Sequence, residues 1–117
     1  MNAMKKKVIS LEELRRQFEQ RRLRLGQVGY ISQGSVQDRT RRPSGAGYQW
    51  TRKVAGKTIT VALTAQQFQA MKEAIANHRQ LRRDLAELER ISRRIMFRTS
   101  PHPARRKLLT NKVLGLN

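Results

Sequence analysis

TAQQFQAMKEAIANHRQLRRDLAELERISRRIMF, residues Thr64 to Phe97, is the stretch that decides the fold. Thr64 can cap a helix, and Gln67 three residues on completes a capping box. No Gly or Pro follows until Pro101. Apolar residues recur at three- and four-residue steps: Phe68, Met71, Ile75, Leu81, Leu85, Leu88, Ile91 and Ile95, with His78 in one of the same slots. The spacing predicts one amphipathic helix of roughly 45 Å. At about 100° per residue, Lys72, Arg79, Arg83, Arg90 and Arg94 share a narrow stripe nearly opposite the apolar face. Two readings of that stripe stand. It is a solvated face partly neutralised by Asp84, Glu87 and Glu89, or it is a track for a polyanion.

The charge of the whole chain favours the track. Its 117 residues carry 26 Lys and Arg against 8 Asp and Glu, a net charge of +18. Excess charge of this size attracts polyanions, and each phosphate contacted releases counterions. Arg outnumbers Lys, and its fork suits phosphate and base stacking. An acidic membrane surface is the rival partner. It fits poorly, because no long apolar run exists and the long helix is poor in aromatics.

There is no cysteine, so disulfides, thiol catalysis and Cys-based zinc sites are excluded. The basic start, Met1 to Lys7, is not followed by the apolar run of a signal peptide, and the expected location is cytoplasmic. Catalysis by acid/base groups or a metal needs clustered His, Asp, Glu or Cys. His78 sits in an apolar slot and His102 lies between prolines, so neither an enzyme, a metal site nor a cofactor is expected.

Before the long helix, residues 1 to 9 read as a flexible basic lead. Ser10 and Glu13 form a second capping-box pattern, and Leu11, Leu14, Phe18 and Leu25 continue at helical spacing up to Gly26. This first helix should pack antiparallel on the long one. Gly26 to Gly47 reads as irregular, with Arg39, Arg41 and Arg42 in a mobile basic loop. Gly34-Ser35 is a candidate tight turn against a phosphate. Tyr48 to Leu63 reads as a hairpin turning at Ala55-Gly56, with Lys53 and Lys57 at its shoulders. Those lysines either enter a groove of nucleic acid or protect a sheet edge. Trp50, Ile59 and Val61 need a helix against them, because a hairpin alone is marginal. Tyr48 and Trp50 are therefore read as core in preference to base-stacking residues.

Beyond Phe97, Pro101 and Pro103 break the helix, and residues 98 to 117 form a basic tail with Arg105, Arg106 and Lys107. A short helix is expected between Ala104 and Leu114. The expected architecture is α+β in one domain over residues 10 to 97: N-terminal helix, basic loop, β-hairpin, long amphipathic helix, then the basic tail.

An ordered set of motifs adds a resemblance. Gly34-Ser35-Val36, Gly47-Tyr48, Thr51-Arg52, Gly56-Lys57-Thr58 and the helical Asn77-His78-Arg79 with Leu81 follow one another. The span from about Leu11 to Phe97 resembles a family of small bacterial proteins with a domain of unknown function, often encoded beside transposase genes. That family typically carries a cysteine-bearing segment between the Gly-Ser and Gly-Tyr motifs. Here the segment is shortened to Arg39 through Ala46 without cysteine, so a metal role does not carry over. The resemblance implies a mobile-element context and no particular chemistry.

The leading expectation is a non-catalytic nucleic-acid-binding accessory subunit of a mobile-element complex, a transposase or an RNA-guided effector. Its partners would be DNA or RNA, together with a larger protein or a second copy along the long helix. The alternatives are an RNA-binding structural subunit of a ribonucleoprotein and a helical scaffold for a larger protein.

Overall fold

The structure is a computed structural model that describes residues 8–43, 47–101, 103 and 109–116. The chain is α+β: helix α1 (Leu11–Leu25), strands β1 (Ser35–Arg39), β2 (Gly47–Val54) and β3 (Lys57–Leu63), the long helix α2 (Ala65–Thr99), and a short helix α3 (Asn111–Leu114). It divides into two compact units. One is Gln27–Arg83, and the other joins Met1–Gly26 to Asp84–Asn117.

In the Gln27–Arg83 unit the sheet is antiparallel with order β1-β2-β3. The segment expected to be irregular thus contributes a strand. Ser35 pairs with Thr51, Val36 with Trp50, and Arg39 with Gly47. Gly34, just before β1, sits at φ 105°, and a Cβ there would clash with the Trp50 Nε1 and the Thr51 carbonyl oxygen. The Trp50 indole N–H donates to the Gln33 carbonyl at 2.9 Å. The glycine is therefore required by the close approach of the tryptophan. That packing accounts for Gly34 without a phosphate.

The β2–β3 connection is a two-residue turn with Ala55 at φ 50° and Gly56 at φ 79°. Two positive φ values match the right-handed twist of a hairpin, and alanine is a poor occupant of the first. Ala55→Asn should stabilise the protein by about 0.5–1 kcal/mol in denaturant unfolding, by relieving a left-handed alanine. An unchanged or lower midpoint would contradict this account of the turn.

Paired residues of an antiparallel sheet share a face. One face carries Val36, Tyr48, Trp50, Val54, Ile59, Val61 and Leu63, and the other is Ser, Thr and Gln-rich. The apolar face meets the helix at one end only. Tyr48 lies against Phe68 with centroids 4.7 Å apart, and Phe68 is buried together with Ala74 and Ile75. The expectation that a helix covers Ile59 and Val61 fails: they remain 38% and 40% exposed. The Ser32 N–H donates to the Ala74 carbonyl, and Asn77 Nδ2 donates to the Tyr30 carbonyl at 3.0 Å. These bonds fasten the strand-free segment 27–34 to α2.

The α2 start forms the full reciprocal box. The Gln67 N–H donates to Thr64 Oγ1 at 3.1 Å, and the Thr64 N–H donates to Gln67 Oε1 at 3.0 Å. At the α1 start only half of the motif is realised in this way. Ser10 Oγ accepts from the Glu13 N–H, while the Glu13 carboxylate turns to Arg16 and Gln17.

In the other unit α1 runs antiparallel to the Asp84–Thr99 part of α2. Arg24, near the end of α1, reaches Asp84 at 3.4 Å, and the Ile9 carbonyl, just before α1, accepts from Arg98. Leu14 and Ile91 form the centre, 1% and 3% exposed. Leu88 is half-buried, but Leu85 is 45% exposed. Within the single chain the apolar face of α2 is thus only partly covered, which leaves room for the second copy or larger protein expected along the long helix. In the tail, Thr110 caps α3 and Gly115 ends it in the left-handed conformation. The described part of the helix expected over Ala104–Leu114 is this single turn.

Candidate nucleic-acid interface

The Gln27–Arg83 unit carries ten Lys and Arg against two acidic residues, Asp38 and Glu73. Its cations come from three places. On α2, Lys72, Arg79 and Arg83 fall within about 40° of one another around the axis, and all three are exposed. Arg83 donates to the neutral Gln80 amide at 2.7 Å. Glu73 is the sole acidic residue of α2 ahead of Asp84. No ion pair among the described residues involves Lys72, Arg79 or Arg83. Arg82, which the stripe pattern passed over, is exposed beside them.

The second group follows β1. Arg39 is the last residue of the strand, half-buried, and donates to Gln37 Oε1 at 2.9 Å. It therefore belongs to the sheet and not to a mobile loop. Arg41 and Arg42 are exposed in the turn beyond it, where the Arg42 N–H donates back to the Arg39 carbonyl. Asp38 shapes this turn by accepting from the Thr40 hydroxyl at 2.6 Å and the Thr40 N–H at 3.0 Å. The hydroxyl bond first, then the N–H bond, with the Arg41 charge adding, hold the Asp38 carboxyl below its usual range. Its contribution to stability is present above the unfolded carboxylate pKa and is lost as pH falls through the lowered one.

The third group is the hairpin. Lys53 and Lys57 are exposed and point to opposite faces, since Lys53 pairs with Thr58 and Val54 with Lys57. Arg52 lies over the Trp50 ring, 5.4 Å from its centroid, a cation–π arrangement. Sequence reasoning did not single out Arg52 as a candidate. It also missed Tyr30, a residue 93% exposed whose carbonyl accepts from Asn77. The available signal was an aromatic residue beside Gly29, outside any apolar periodicity.

The remaining stripe residues lie in the other unit and are less free. Arg90 pairs with Glu87 at 3.1 Å and its side chain is 35% exposed. Arg94 is half-buried and lines a cavity of about 620 Å³ with Ile9, Leu14, Phe97 and Leu114. Arg93 pairs with Glu89, Arg22 with Glu19, and Arg16 with Glu13. The Arg16 hydrogen bond holds the Glu13 carboxyl below its usual range. Arg105, Arg106 and Lys107 lie outside the described residues.

Among the described residues no three His, Asp or Glu side chains come together, and no helix is long and apolar enough to cross a membrane. His78 is half-buried on α2. Comparison of the chain with protein-family models, with curated proteins and with solved structures gives no match.

Proposed function

We propose that this protein binds nucleic acid without catalysis, through backbone phosphates, as an accessory subunit of a larger nucleoprotein complex. The observation that carries the reading is the exposed Lys72, Arg79 and Arg83 stripe, which has no carboxylate partner among the described residues, in a chain of net charge +18. Unpaired cations on a rigid helix incur little ordering cost when they meet phosphates. The assignment to a mobile-element complex rests on the motif resemblance from Gly34 to Leu81. Binding to unrelated duplex DNA, single-stranded DNA and structured RNA probes at one fixed salt concentration tests the reading. Affinities should differ little among sequences of the same form. Failure to bind any probe would remove it. The ranking of duplex DNA against RNA decides between this reading and that of a ribonucleoprotein subunit.

Tyr30 gives the proposal a base-directed element. An exposed ring held by its own main chain suits stacking on an unpaired base. Tyr30→Ala should weaken binding of a single-stranded probe by about 1–3 kcal/mol while leaving thermal stability unchanged. Equal affinity of the variant and the parent would exclude stacking there.

A second reading, a scaffold for a protein partner, is favoured by a separate feature. Leu85, Leu88, Ser92 and Met96 share a groove of about 310 Å³ with Glu89 and Arg93, and Met96 is 52% exposed. Exposed apolar residues at helical spacing are the usual docking face of a helix.

A further inference from the structure

The β3 edge is the least defended part of the sheet. β3 ends the order β1-β2-β3, so one row of its main-chain groups faces away from the sheet. The two-residue turn makes Val54 and Lys57 a hydrogen-bonded pair, and alternation then points the N–H groups of Thr58, Thr60 and Ala62 outward. Sheet edges are normally protected by charge, proline, a bulge or a covering element. Among the described residues β3 has only Lys57 at its end and no further strand against it, and the chain from Thr58 to Met71 contains no charged residue. The opposite edge, β1, carries Asp38 and Arg39 and is followed by Arg41 and Arg42. A chain of net charge +18 repels its own copies, and of the two sheet edges β3 is the one where a copy meets fewer like charges.

We infer that β3 pairs antiparallel with β3 of a second copy about a two-fold axis at Thr60. This register engages the whole strand. It sets Thr60 opposite Thr60, Ile59 opposite Val61, and Lys57 opposite Leu63, with the two lysines at far ends. Opposed β-branched residues are favourable cross-strand partners. Ile59 and Val61, left 38% and 40% exposed, gain neighbours on the same face. The two three-stranded sheets become one sheet of six strands, in which Trp50, Ile59 and Val61 of both copies share a side with Arg52 and Lys57. The interface leaves the α2 cation stripe unused, so the inference does not depend on nucleic-acid binding.

The test uses nuclease-treated protein in high salt, so that nucleic acid cannot bridge copies. Sedimentation equilibrium should give a mass that doubles with concentration. Thr60→Pro removes one outward N–H, a position where an edge strand accepts proline, and should leave the protein monomeric with its helical circular dichroism intact. Because the chain has no cysteine, Thr60→Cys provides a second readout that does not depend on proline being tolerated. It should give a disulfide-linked dimer on oxidation, since opposed residues lie at a Cα separation that a disulfide can bridge. Thr58→Cys, displaced from the axis, should not. A monomeric parent at its highest attainable concentration, a dimer unaffected by Thr60→Pro in folded protein, or equal crosslinking of the two cysteine variants would each overturn the inference. A monomeric parent would leave the edge to an extended segment of another protein.

Discussion

Leu14→Ala is expected to lower unfolding stability by about 2–5 kcal/mol, the range for emptying a fully packed leucine site. Leu14 is 1% exposed and lies in the unit where α1 runs antiparallel to α2, with Ile91 3% exposed. The lost methyl groups leave a hole that neighbours on two helices cannot close without moving their backbones. Domains of this size are held by only about 5–15 kcal/mol, so the variant should melt many degrees lower. Leu85→Ala is the matched comparison. Leu85 is 45% exposed, so in a monomer its truncation should cost under about 1 kcal/mol. Chemical denaturation of the two variants checks both values. Equal losses would mean that Leu85 is covered in solution by something the single chain does not supply.

Reversing the charges of Lys72, Arg79 and Arg83 to glutamate should weaken binding of every nucleic acid tested by about a hundredfold at low salt. The fold should survive. All three side chains are exposed, none is in an ion pair among the described residues, and glutamate is a good helix former. Changes at such surface sites usually stay within about 0.5 kcal/mol each. The expected signature is therefore lost affinity at unchanged melting temperature. Arg90→Glu should weaken binding less, because the Arg90 side chain already faces Glu87 at 3.1 Å. Loss of affinity from Arg90→Glu equal to that of the triple variant would place the contact surface elsewhere on α2.

Local chemistry made the helices legible. Thr64 and Gln67 announced the start of α2, and both halves of their box are formed. Ser10 and the Leu11, Leu14, Phe18 spacing announced α1. Alternation at Tyr48–Leu63 gave the hairpin and sorted its faces correctly, but alternation cannot say what lies against a face. Ile59 and Val61 look like core in sequence and are left open in the fold. β1 was hidden because Ser-Val-Gln-Asp-Arg has a single apolar residue. It is a strand because β2 offers it partners, a non-local cause that no window of sequence contains. Helical angle alone defines the arginine stripe. Angle predicts a shared side of the helix, yet the freedom of each cation depends on neighbours: Arg79 and Arg83 are exposed, Arg90 is paired, and Arg94 lines a cavity. Asp84, expected to neutralise the stripe, is buried and faces Arg24 of α1.

The most direct test of the phosphate-binding account is the salt dependence of affinity, measured for the parent and the Lys72, Arg79, Arg83 charge-reversed protein on the same duplex. Each phosphate contact contributes about 0.9 to the log–log slope on B-form DNA. The account predicts a steep parent slope reflecting several contacts. It predicts that the variant slope is shallower by about two to three. A parent affinity that barely changes with salt, or equal slopes for the two proteins, would contradict it.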